Sequence, residues 1–236
     1  MTDPRPGAGT GPQRQLTLDL PHTPALGAED FVVSECNRDA VDFINLWPDW
    51  PASAGILAGP TGSGKSHLGA IWCAITGAPS VPAAAITADS VPELLGNGTL
   101  LVEDAHAPGL DETALFHALN WAGEHGGHIL ITTRSWPSEW RLGLPDLVSR
   151  LKAAPLIELH EPDNMLLNLV LVKLFADRQL AVDTGLVDYL VNRMERSLAA
   201  AVLLVDRLDR QALEQKRRIN RRLAAEILQS LHEGGA

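Results

Sequence analysis

The residues whose chemistry is clearest form one short run, Gly59 to Ser66, which reads GPTGSGKS and fits the P-loop pattern G-x-x-x-x-G-K-[ST] in full. Glycines let the backbone N–H groups of such a loop turn toward phosphate oxygens, and the helix N-terminus that follows favours negative charge. The lysine of the pattern reaches the β and γ phosphates of a nucleotide, and the hydroxyl after it is a ligand of Mg²⁺. The run therefore predicts a nucleotide site, which with the next histidine comprises Gly59, Pro60, Thr61, Gly62, Ser63, Gly64, Lys65, Ser66 and His67.

A carboxylate pair, Glu103 and Asp104, follows the apolar run 100–102. Hydrolysis at a P-loop needs an acidic residue at the end of a neighbouring strand, where it holds the metal and positions water. We predict that Glu103 and Asp104 fill these catalytic roles, and that Ser66 and Glu103 are ligands of Mg²⁺. Because the usual pattern places aspartate first, the longer glutamate changes the metal geometry, and Mg²⁺ tolerates poor geometry badly. The pair therefore favours nucleotide binding over rapid hydrolysis by this chain alone.

Two further polar positions lie at the ends of apolar runs. Thr132 and Thr133 end the run that begins at Ile129, and either could sense a γ-phosphate if this strand lies beside the P-loop strand. The alternative, that both are β-branched residues favouring a strand, is equally consistent with the sequence. Arg150 precedes the last apolar run, and a guanidinium at a domain surface can stabilise phosphoryl charge across a subunit interface. From its position alone, Arg150 reads as an ordinary surface arginine.

These residues must be positioned by strands that alternate with helices. Strands are predicted at 55–58, 81–86, 99–102, 128–132 and 156–159, and helices at 65–76 and 111–124. After Pro162 the periodicity is helical only, over 164–177, 183–194, 197–213 and 220–231. Alternating strands and helices indicate a parallel sheet covered on both faces. We therefore predict an α/β nucleotide-binding domain over residues 27–161, followed by a small all-helical lid domain over residues 162–236.

Composition excludes several other classes of protein. Of the 236 residues 45% are hydrophobic, which is enough to bury a core and excludes disorder of the whole chain. No apolar run approaches the roughly 20 residues of a membrane span, and residues 1–15 contain no apolar signal region, so we expect a cytoplasmic protein. Two cysteines cannot form a disulfide framework. Residues 1–26 are predicted to be a disordered tail that contains one short alternating segment, QLTLDL, at 15–20.

Charge is distributed unevenly along the chain. The net charge of −10 argues against non-specific binding of nucleic acid by the whole chain. Residues 1–140 carry 5 basic and 16 acidic side chains, whereas residues 141–236 carry 14 basic and 13 acidic ones. A basic cluster comprises Lys216, Arg217, Arg218, Arg221 and Arg222. It is either a solvated helix face or a contact for phosphate or an acidic partner, and the sequence leaves both interpretations open.

Several of these segments together resemble the AAA+ module of the DnaA-related family of bacterial replication proteins. The resemblance rests on residues 29–33, Asn37, the P-loop, LLVED at 100–104, LITTR at 130–134 and residues 149–151, and it covers about residues 27–232. The chain length and QLTLDL resemble more closely the regulatory members of that family, whose Q-L-x-L-x-L peptide binds the β sliding clamp of DNA polymerase III. By that resemblance the clamp-binding residues are Gln15, Leu16, Leu18 and Leu20, an extended peptide whose side chains would enter pockets of the partner.

The resemblance also implies roles around the nucleotide, which is ADP or ATP with Mg²⁺. Phe31, Val33 and Asn37 would lie near the adenine, and Arg196 matches the sensor 2 arginine that contacts the nucleotide in cis. Arg150 occupies the position of the arginine finger and would point at the ATP of a neighbouring DnaA subunit. The implied function is negative regulation of replication initiation. The ADP-bound, clamp-bound protein would stimulate hydrolysis of ATP on DnaA, with weak or no ATPase activity of its own.

Other functions make different demands on the sequence. A helicase loader or truncated initiator paralogue would need a helicase-binding or DNA-binding extension, for which the chain offers only the basic cluster. We therefore expect no direct sequence-specific binding of DNA. A small-molecule P-loop kinase needs an arginine-rich lid, whereas residues 77–130 contain no Arg or Lys. The sequence leaves open whether ADP or ATP is the working ligand and whether the chain forms a homo-oligomer.

Overall fold

The structure is a computed structural model that describes residues 31–234. The predicted tail and its clamp-binding segment, residues 15–20, lie outside the described residues, as do Glu29 and Asp30.

Five parallel strands form one sheet in the spatial order β2-β3-β4-β1-β5. They are β1 (Ala54–Ala58), β2 (Ser80–Pro82), β3 (Thr99–Glu103), β4 (His128–Thr133) and β5 (Leu156–Glu158). Ala58 of β1 is level with Thr133 of β4, and Val102 of β3 is level with Ile131 of β4. The C-terminal ends of the three central strands therefore meet at one edge of the sheet. This carboxyl edge consists of residues 58–59, 103–104 and 133–134, and it is where ligands bind in open α/β sheets.

Helices lie before β1 and between the strands along the chain, and four more follow β5. They are α1 (Arg38–Asn45), α2 (Lys65–Thr76), α3 (Val91–Leu94), α4 (Glu112–His125), α5 (Pro145–Ala153), α6 (Asn164–Asp177), α7 (Thr184–Val191), α8 (Leu198–Gln215) and α9 (Arg221–Gly234). Within residues 31–234, none of these helices is both long and apolar enough to cross a membrane.

Both faces of the sheet are buried. Since successive residues of a strand point to opposite sides, neighbours in one strand pack into different clusters. On one face Leu100 and Val102 pack with Leu115 of α4. On the other face Leu101 packs against α2, in a cluster that includes Trp72. A parallel sheet covered on both sides needs apolar residues at nearly every strand position. This requirement explains why β1 reads AGILA and is buried throughout.

The four C-terminal helices bury a cluster of their own, which contains Leu171, Phe175, Leu190 and Leu208. Side-chain oxygens cap all four of these helices by accepting backbone N–H bonds, in the pairs Asp163–Leu166 (2.6 Å), Asp183–Leu186 (2.7 Å), Ser197–Ala200 (3.2 Å) and Asn220–Leu223 (3.0 Å). Such caps satisfy donors that a helix start leaves unpaired. The predicted fold class, an α/β sheet followed by a helical part, is confirmed.

One strand prediction was partly wrong. The run 81–86 was predicted to be a single strand, but β2 ends at Pro82 and a 3-10 turn follows over Ala83–Ala85. Proline has no N–H to donate to a ladder, and three alanines lack the branched side chains that favour strands. No bounds were predicted from the sequence for three helices, α1, α3 and α5.

Candidate nucleotide site

The P-loop joins the end of β1 to the start of α2 at the carboxyl edge. The N–H of Gly59 donates to the carbonyl of Thr133 at 3.2 Å, which holds the start of the loop against β4. Gly62 and Gly64 have φ angles of 77° and 105°, a conformation that is strained for any residue with a Cβ. Because α2 begins at Lys65, the N–H groups of its first turn have no acceptor within the helix. The loop thus has the donors and the backbone shape that phosphate oxygens require.

Lys65 is buried and bonds to its own loop. Its Nζ donates to the carbonyls of Gly59 and Pro60, both at 2.7 Å, and lies 3.4 Å from the hydroxyl of Ser63. Burial lowers the pKa of the Lys65 ammonium, and the positive charge of Arg134 lowers it further, whereas Asp104 opposes the shift. Within residues 31–234 no carboxylate forms an ion pair with Lys65. A buried cation in this state is electrostatically suited to an anionic ligand.

The two carboxylates at the end of β3 lie in different surroundings. Glu103 accepts a hydrogen bond from the hydroxyl of Ser80, and its charge adds to burial in raising the pKa of the Cys73 thiol to about 11. Asp104 has φ of 54°, its carboxylate lies 4.0 Å from Nδ1 of His106, and it is the carboxylate whose charge acts on Lys65. The structure therefore brings Asp104 into electrostatic reach of the P-loop lysine, and Glu103 toward β2 and α2.

The residues present fit a nucleotide with Mg²⁺. A Cβ at Gly59 would lie 2.3 Å from the carbonyl of Leu159, so the backbone approaches closely enough to form a cradle that only glycine allows. No group of three or more His, Cys, Asp and Glu residues suited to a metal occurs in the described part of the chain. Mg²⁺ commonly takes most of its ligands from water and phosphate, so Ser66 with one carboxylate is a sufficient protein contribution. Ser66 and Glu103 as its ligands stay a prediction.

Thr132 and Thr133 are both buried, and their hydroxyls make hydrogen bonds within the fold. Thr132 Oγ1 accepts the backbone N–H of Asp104 at 3.2 Å, which connects the ends of β4 and β3. Thr133 Oγ1 donates to the carbonyl of Ser135 at 2.8 Å. These bonds give both side chains a structural role at the carboxyl edge. Their role as γ-phosphate sensors stays a prediction.

The residues expected near adenine lie in the segment before α1, and that role stays a prediction. Asn37 is buried, its Nδ2 donates to the carbonyl of Val32 at 3.0 Å, and its Oδ1 accepts the N–H of Ser34 at 2.8 Å. This amide therefore shapes the loop 32–37. The Phe31 ring packs edge-on against His67, with ring centroids 5.1 Å apart, and a Cβ at Gly64 would lie 3.5 Å from it. Phe31 and His67 thus lie beside the P-loop, and Val33 is 44% exposed.

The start of α8 contacts the P-loop directly. The N–H of Leu198 donates to the carbonyl of Gly62 at 2.9 Å, and a Cβ at Gly62 would lie only 2.0 Å from Oγ of Ser197. The neighbouring Arg196 points its guanidinium at the segment between β5 and α6, where it donates to the carbonyl of Pro162 at 3.3 Å and to Oδ1 of Asn164 at 2.7 Å. Arg196 thus lies one residue from a P-loop contact, and its contact with nucleotide stays a prediction.

Arg150 lies apart from this cluster, on α5. It is exposed, and a Cβ at Gly123 of α4 would lie 4.0 Å from its Nη1. Among residues 31–234 its guanidinium has no ion pair or side-chain hydrogen bond. An arginine in this state is accessible to a partner molecule.

Two residues of the carboxyl edge were missed at the level of sequence, His106 and Arg134. The backbone N–H of Arg134 donates to Nδ1 of His106 at 3.2 Å, so Nε2 carries the proton of the neutral ring. Burial lowers the pKa of His106, Asp104 opposes that shift, and the charges of Arg134 and Lys65 add to it. The sequence feature that could have identified them is their position, because both residues follow the ends of central strands.

Comparison with solved structures finds the same fold in two kinds of bacterial protein. Domain III of the Thermotoga maritima replication initiation protein DnaA aligns with 89% of this chain and 98% of its own length, at 17% identity and a TM-score of 0.71. AMPPCP-bound DnaA from Aquifex aeolicus aligns with 82% and 69%, at 21% identity and 0.63. The Thermotoga maritima Holliday junction branch migration motor RuvB aligns with 87% and 72%, at 16% identity and 0.68. No protein-family model matches the chain. The chain therefore shares the fold of DnaA domain III and of RuvB, a parallel five-stranded α/β sheet with a helical C-terminal part.

Proposed function

We propose that this protein is a regulator of replication initiation of the Hda type. It binds ADP at the P-loop, binds the β sliding clamp through residues 15–20, and stimulates hydrolysis of the ATP held by DnaA. The observation that carries the proposal is the pairing of a P-loop suited to phosphate with an exposed arginine, Arg150, that has no partner among the described residues. The likeness to DnaA domain III supports the fold on which the proposal depends.

Binding of nucleotide uses groups that the loop already positions. The N–H groups at the start of α2 bind phosphate oxygens, and Lys65 exchanges its bonds to the carbonyls of Gly59 and Pro60 for bonds to phosphate. When bound, Mg²⁺ neutralises charge on the phosphates. Solved DnaA structures include ones bound to AMPPCP, which supports a nucleotide ligand for the shared fold.

Intrinsic hydrolysis is weak in this proposal. Glu103 is hydrogen-bonded to Ser80, and Asp104 interacts electrostatically with Lys65 and His106. Glu103 is thus bonded to β2, and the charge of Asp104 is engaged with two neighbouring groups, which supports slow hydrolysis by this chain alone. The chain accordingly retains its nucleotide and acts on the nucleotide of its partner.

Arg150 supplies the chemistry in trans. A guanidinium brought to a neighbour's ATP stabilises charge that develops on the phosphoryl group, and such arginines accelerate hydrolysis by about 10³ to 10⁵. Because Arg150 is exposed and has no ion pair among the described residues, no such pair has to break when the partner binds. The clamp peptide serves to concentrate the protein where DnaA and DNA meet, since tethering raises the effective concentration of a partner.

The clamp half of the proposal can be tested by binding alone. Purified protein is passed over immobilised β clamp, together with the variant Gln15→Ala/Leu16→Ala/Leu18→Ala. We expect wild type to bind and the triple variant to lose binding, while both retain ADP and the same circular dichroism spectrum. Equal binding by the two proteins would contradict the assignment of residues 15–20.

The same assay separates the regulator from a helicase loader. The replicative helicase replaces the clamp as the immobilised partner, and the basic-cluster variant Lys216→Ala/Arg218→Ala is included as a control. We expect no retention on the helicase by any of the proteins. Retention on helicase without retention on clamp would contradict the regulator proposal.

A further inference from the structure

The C-terminal end of α6 is closed by an apolar side chain. Gln179 is left-handed, with φ of 57°, and its N–H donates to the carbonyl of Ala176 at 2.9 Å. The N–H of the next residue, Leu180, donates to the carbonyl of Phe175 at 2.8 Å. Helices that end in this motif commonly carry an apolar residue after the left-handed one, which packs back on the last turn. Leu180 fits that rule, because it packs against the helical cluster that contains Phe175.

The C-terminal end of α8 has the same hydrogen bonds but cations at the two end positions. Lys216 is left-handed, with φ of 49°, and its N–H donates to the carbonyl of Leu213 at 3.2 Å. The N–H of Arg217 donates to the carbonyl of Ala212 at 3.0 Å. The left-handed conformation is unfavourable for a residue with a Cβ, and α2 and α4 use glycine at this position. A cation interacts favourably with the dipole of a helix C-terminus from unstrained positions too, so stability does not explain lysine at this one.

A cavity of about 400 Å³ lies at this end of α8. Its lining includes the apolar side chains of Leu180, Ala212 and Leu213. Leu213 is 65% exposed, so a leucine side chain at the cavity is largely in contact with water. Covering such a side chain is favourable. Because Arg217 stands where an apolar residue would pack back on the helix, the cavity is suited to an apolar side chain from another molecule.

Three of the five cations in the basic cluster have a partner within the chain. Arg222 Nε lies 3.1 Å, and Arg217 Nη2 lies 3.8 Å, from the carboxylate of Glu226. Arg221 Nη2 donates to the carbonyl of Gly185 at 3.2 Å. These contacts hold the three guanidinium groups to α7 and α9.

The other two cations, Lys216 and Arg218, line the cavity. Both are exposed, and over residues 31–234 neither side chain has a hydrogen bond or an ion pair. Asp209 is the one carboxylate among the described residues of the lining. Two unpaired cations beside an apolar cavity suit a ligand that combines an apolar group with negative charge.

An acidic peptide has both features. The phosphate backbone of duplex DNA offers charge but no apolar side chain that could fill the cavity. The C-terminal end of a helix carries partial negative charge, so the apolar group belongs against α8 and the carboxylates belong beside it, at Lys216 and Arg218. Residues 1–140 carry 16 acidic and 5 basic side chains, which repel an acidic peptide from the rest of the chain.

We propose that the cavity at the end of α8 binds an acidic peptide of a partner protein, with one apolar side chain in the cavity and carboxylates beside it paired with Lys216 and Arg218. The site goes beyond the proposed function and uses none of its residues. It assigns the basic cluster, whose role the sequence left open, to contact with an acidic partner.

The test measures binding of labelled peptides by fluorescence anisotropy, with the full chain and without nucleotide or clamp. The probe is a nonapeptide of aspartate and glutamate with phenylalanine at its centre, and a matched peptide has serine at that position. We expect the phenylalanine peptide to bind at least about tenfold more tightly than the serine peptide, the effect of burying one large apolar side chain. A leucine peptide should behave as the phenylalanine peptide does.

Lys216→Gly separates binding from stability. Glycine removes the left-handed strain and the cation together, so the variant should be at least as stable as wild type in urea. It should bind the phenylalanine peptide about fivefold more weakly, the effect of losing one exposed ion pair. A purely structural role of Lys216 would leave peptide affinity unchanged. Arg207→Ala, exposed on α8 and outside the cavity, is the control and should bind as wild type does.

Arg217→Leu fills the cavity from within the chain. It places at the end of α8 the apolar residue that Leu180 supplies at the end of α6. The phenylalanine and serine peptides should then bind with the same, weak affinity, and the urea midpoint should not fall.

Each outcome decides the inference. A preference for the phenylalanine peptide that Arg217→Leu abolishes supports the site. Equal binding of the phenylalanine and serine peptides by wild type, or failure to bind either apolar peptide, overturns it. A labelled DNA duplex that binds more tightly than the phenylalanine peptide, and is lost in Lys216→Gly/Arg218→Ala, overturns it in favour of a phosphate-binding surface. The ADP site and the clamp peptide of the proposed function are unaffected by any of these results.

Discussion

The carboxyl edge of the sheet and the surface of α5 both present cations, but the surroundings of those cations differ. At the edge Lys65 is buried and bonds to two carbonyls of its own loop, with Asp104 facing it. On α5 Arg150 is exposed and has no partner within the described residues. A buried, pre-positioned cation suits a ligand that the chain holds for itself, whereas an exposed one suits a ligand that another molecule brings. The contrast separates binding in cis from action in trans.

The largest expected effect comes from Arg150→Ala. We expect stimulation of DnaA-bound ATP hydrolysis to fall at least about a hundredfold, since arginine fingers contribute about 10³ to 10⁵, with ADP affinity unchanged. The measurement is the rate of conversion of ATP to ADP on DnaA in the presence of clamp-loaded DNA. Lys152→Ala, on the same helix and also exposed, is the control and should stimulate as wild type does. A parallel loss of ADP affinity in Arg150→Ala would remove the distinction between the two regions.

Lys65→Ala should have the next largest effect. It should weaken nucleotide binding by this chain rather than its action on DnaA. Because Lys65 makes charge-assisted bonds to phosphate, we expect ADP affinity to fall about ten- to hundredfold, corresponding to about 1.5–3 kcal/mol. Calorimetric titration with ADP measures it, and Lys152→Ala again serves as the control. Unchanged ADP affinity in Lys65→Ala would show that the P-loop of this chain does not hold phosphate.

Gly62→Ala tests the contact between the P-loop and the start of α8. The added Cβ is strained at φ of 77° and would lie 2.0 Å from Oγ of Ser197. We expect the free energy of unfolding to fall by about 3 kcal/mol, combining backbone strain and overpacking. Gly126→Ala, at φ of 69° with nothing within 4 Å, carries the strain alone and should cost about 1 kcal/mol.

A second substitution sharpens that result. Adding Ser197→Gly to Gly62→Ala removes the Oγ and Cβ atoms that clash, at a cap cost of only a few tenths of a kcal/mol. Urea unfolding should then show part of the lost stability restored. Equal stabilities of Gly62→Ala and Gly126→Ala would mean that α8 does not rest on the loop.

The smallest expected effect is a pH dependence of stability. Burial lowers the pKa of both His106 and His128 in the folded protein, so the unfolded chain, with histidine pKa near 6.5, binds more protons at mildly acidic pH. These two residues therefore contribute full stability above about pH 6.5 and lose it as the pH falls below that value. We expect a loss of about 1 kcal/mol between pH 7 and pH 5.5, measured by urea unfolding. His106→Gln/His128→Gln should show a shallower dependence over this range, and an unchanged slope would contradict the assignment.

Much of the fold could be predicted from local pattern. The helix at 65–76 was predicted with its observed bounds because the glycine run and the apolar spacing both mark it. Strands β1, β3, β4 and β5 were found within a residue or so of their ends, since buried parallel strands are nearly continuous apolar runs. The prediction of one strand over 81–86 was partly wrong, because the alanines and proline of this run are apolar but do not favour a strand.

The candidate site was predicted less completely, because its remaining contacts join distant segments. Nothing local in the sequence indicates that Nδ1 of His106 accepts the N–H of Arg134, or that Leu198 donates to Gly62. Glu103 and Asp104 have different surroundings because the backbone at Asp104 is left-handed. A pair of adjacent acidic residues in a sequence does not specify that conformation. Motifs thus locate the phosphate site, and tertiary contacts determine which charges face it.

The central claim is that this protein, loaded with ADP, acts on the nucleotide of DnaA. The most direct test follows conversion of radiolabelled ATP to ADP on DnaA, with the ADP-bound protein present, in the presence and absence of clamp-loaded DNA. The account predicts faster conversion only when the clamp, residues 15–20 and Arg150 are all present. Conversion at the rate of DnaA alone, by protein shown to be folded and ADP-bound, would contradict it.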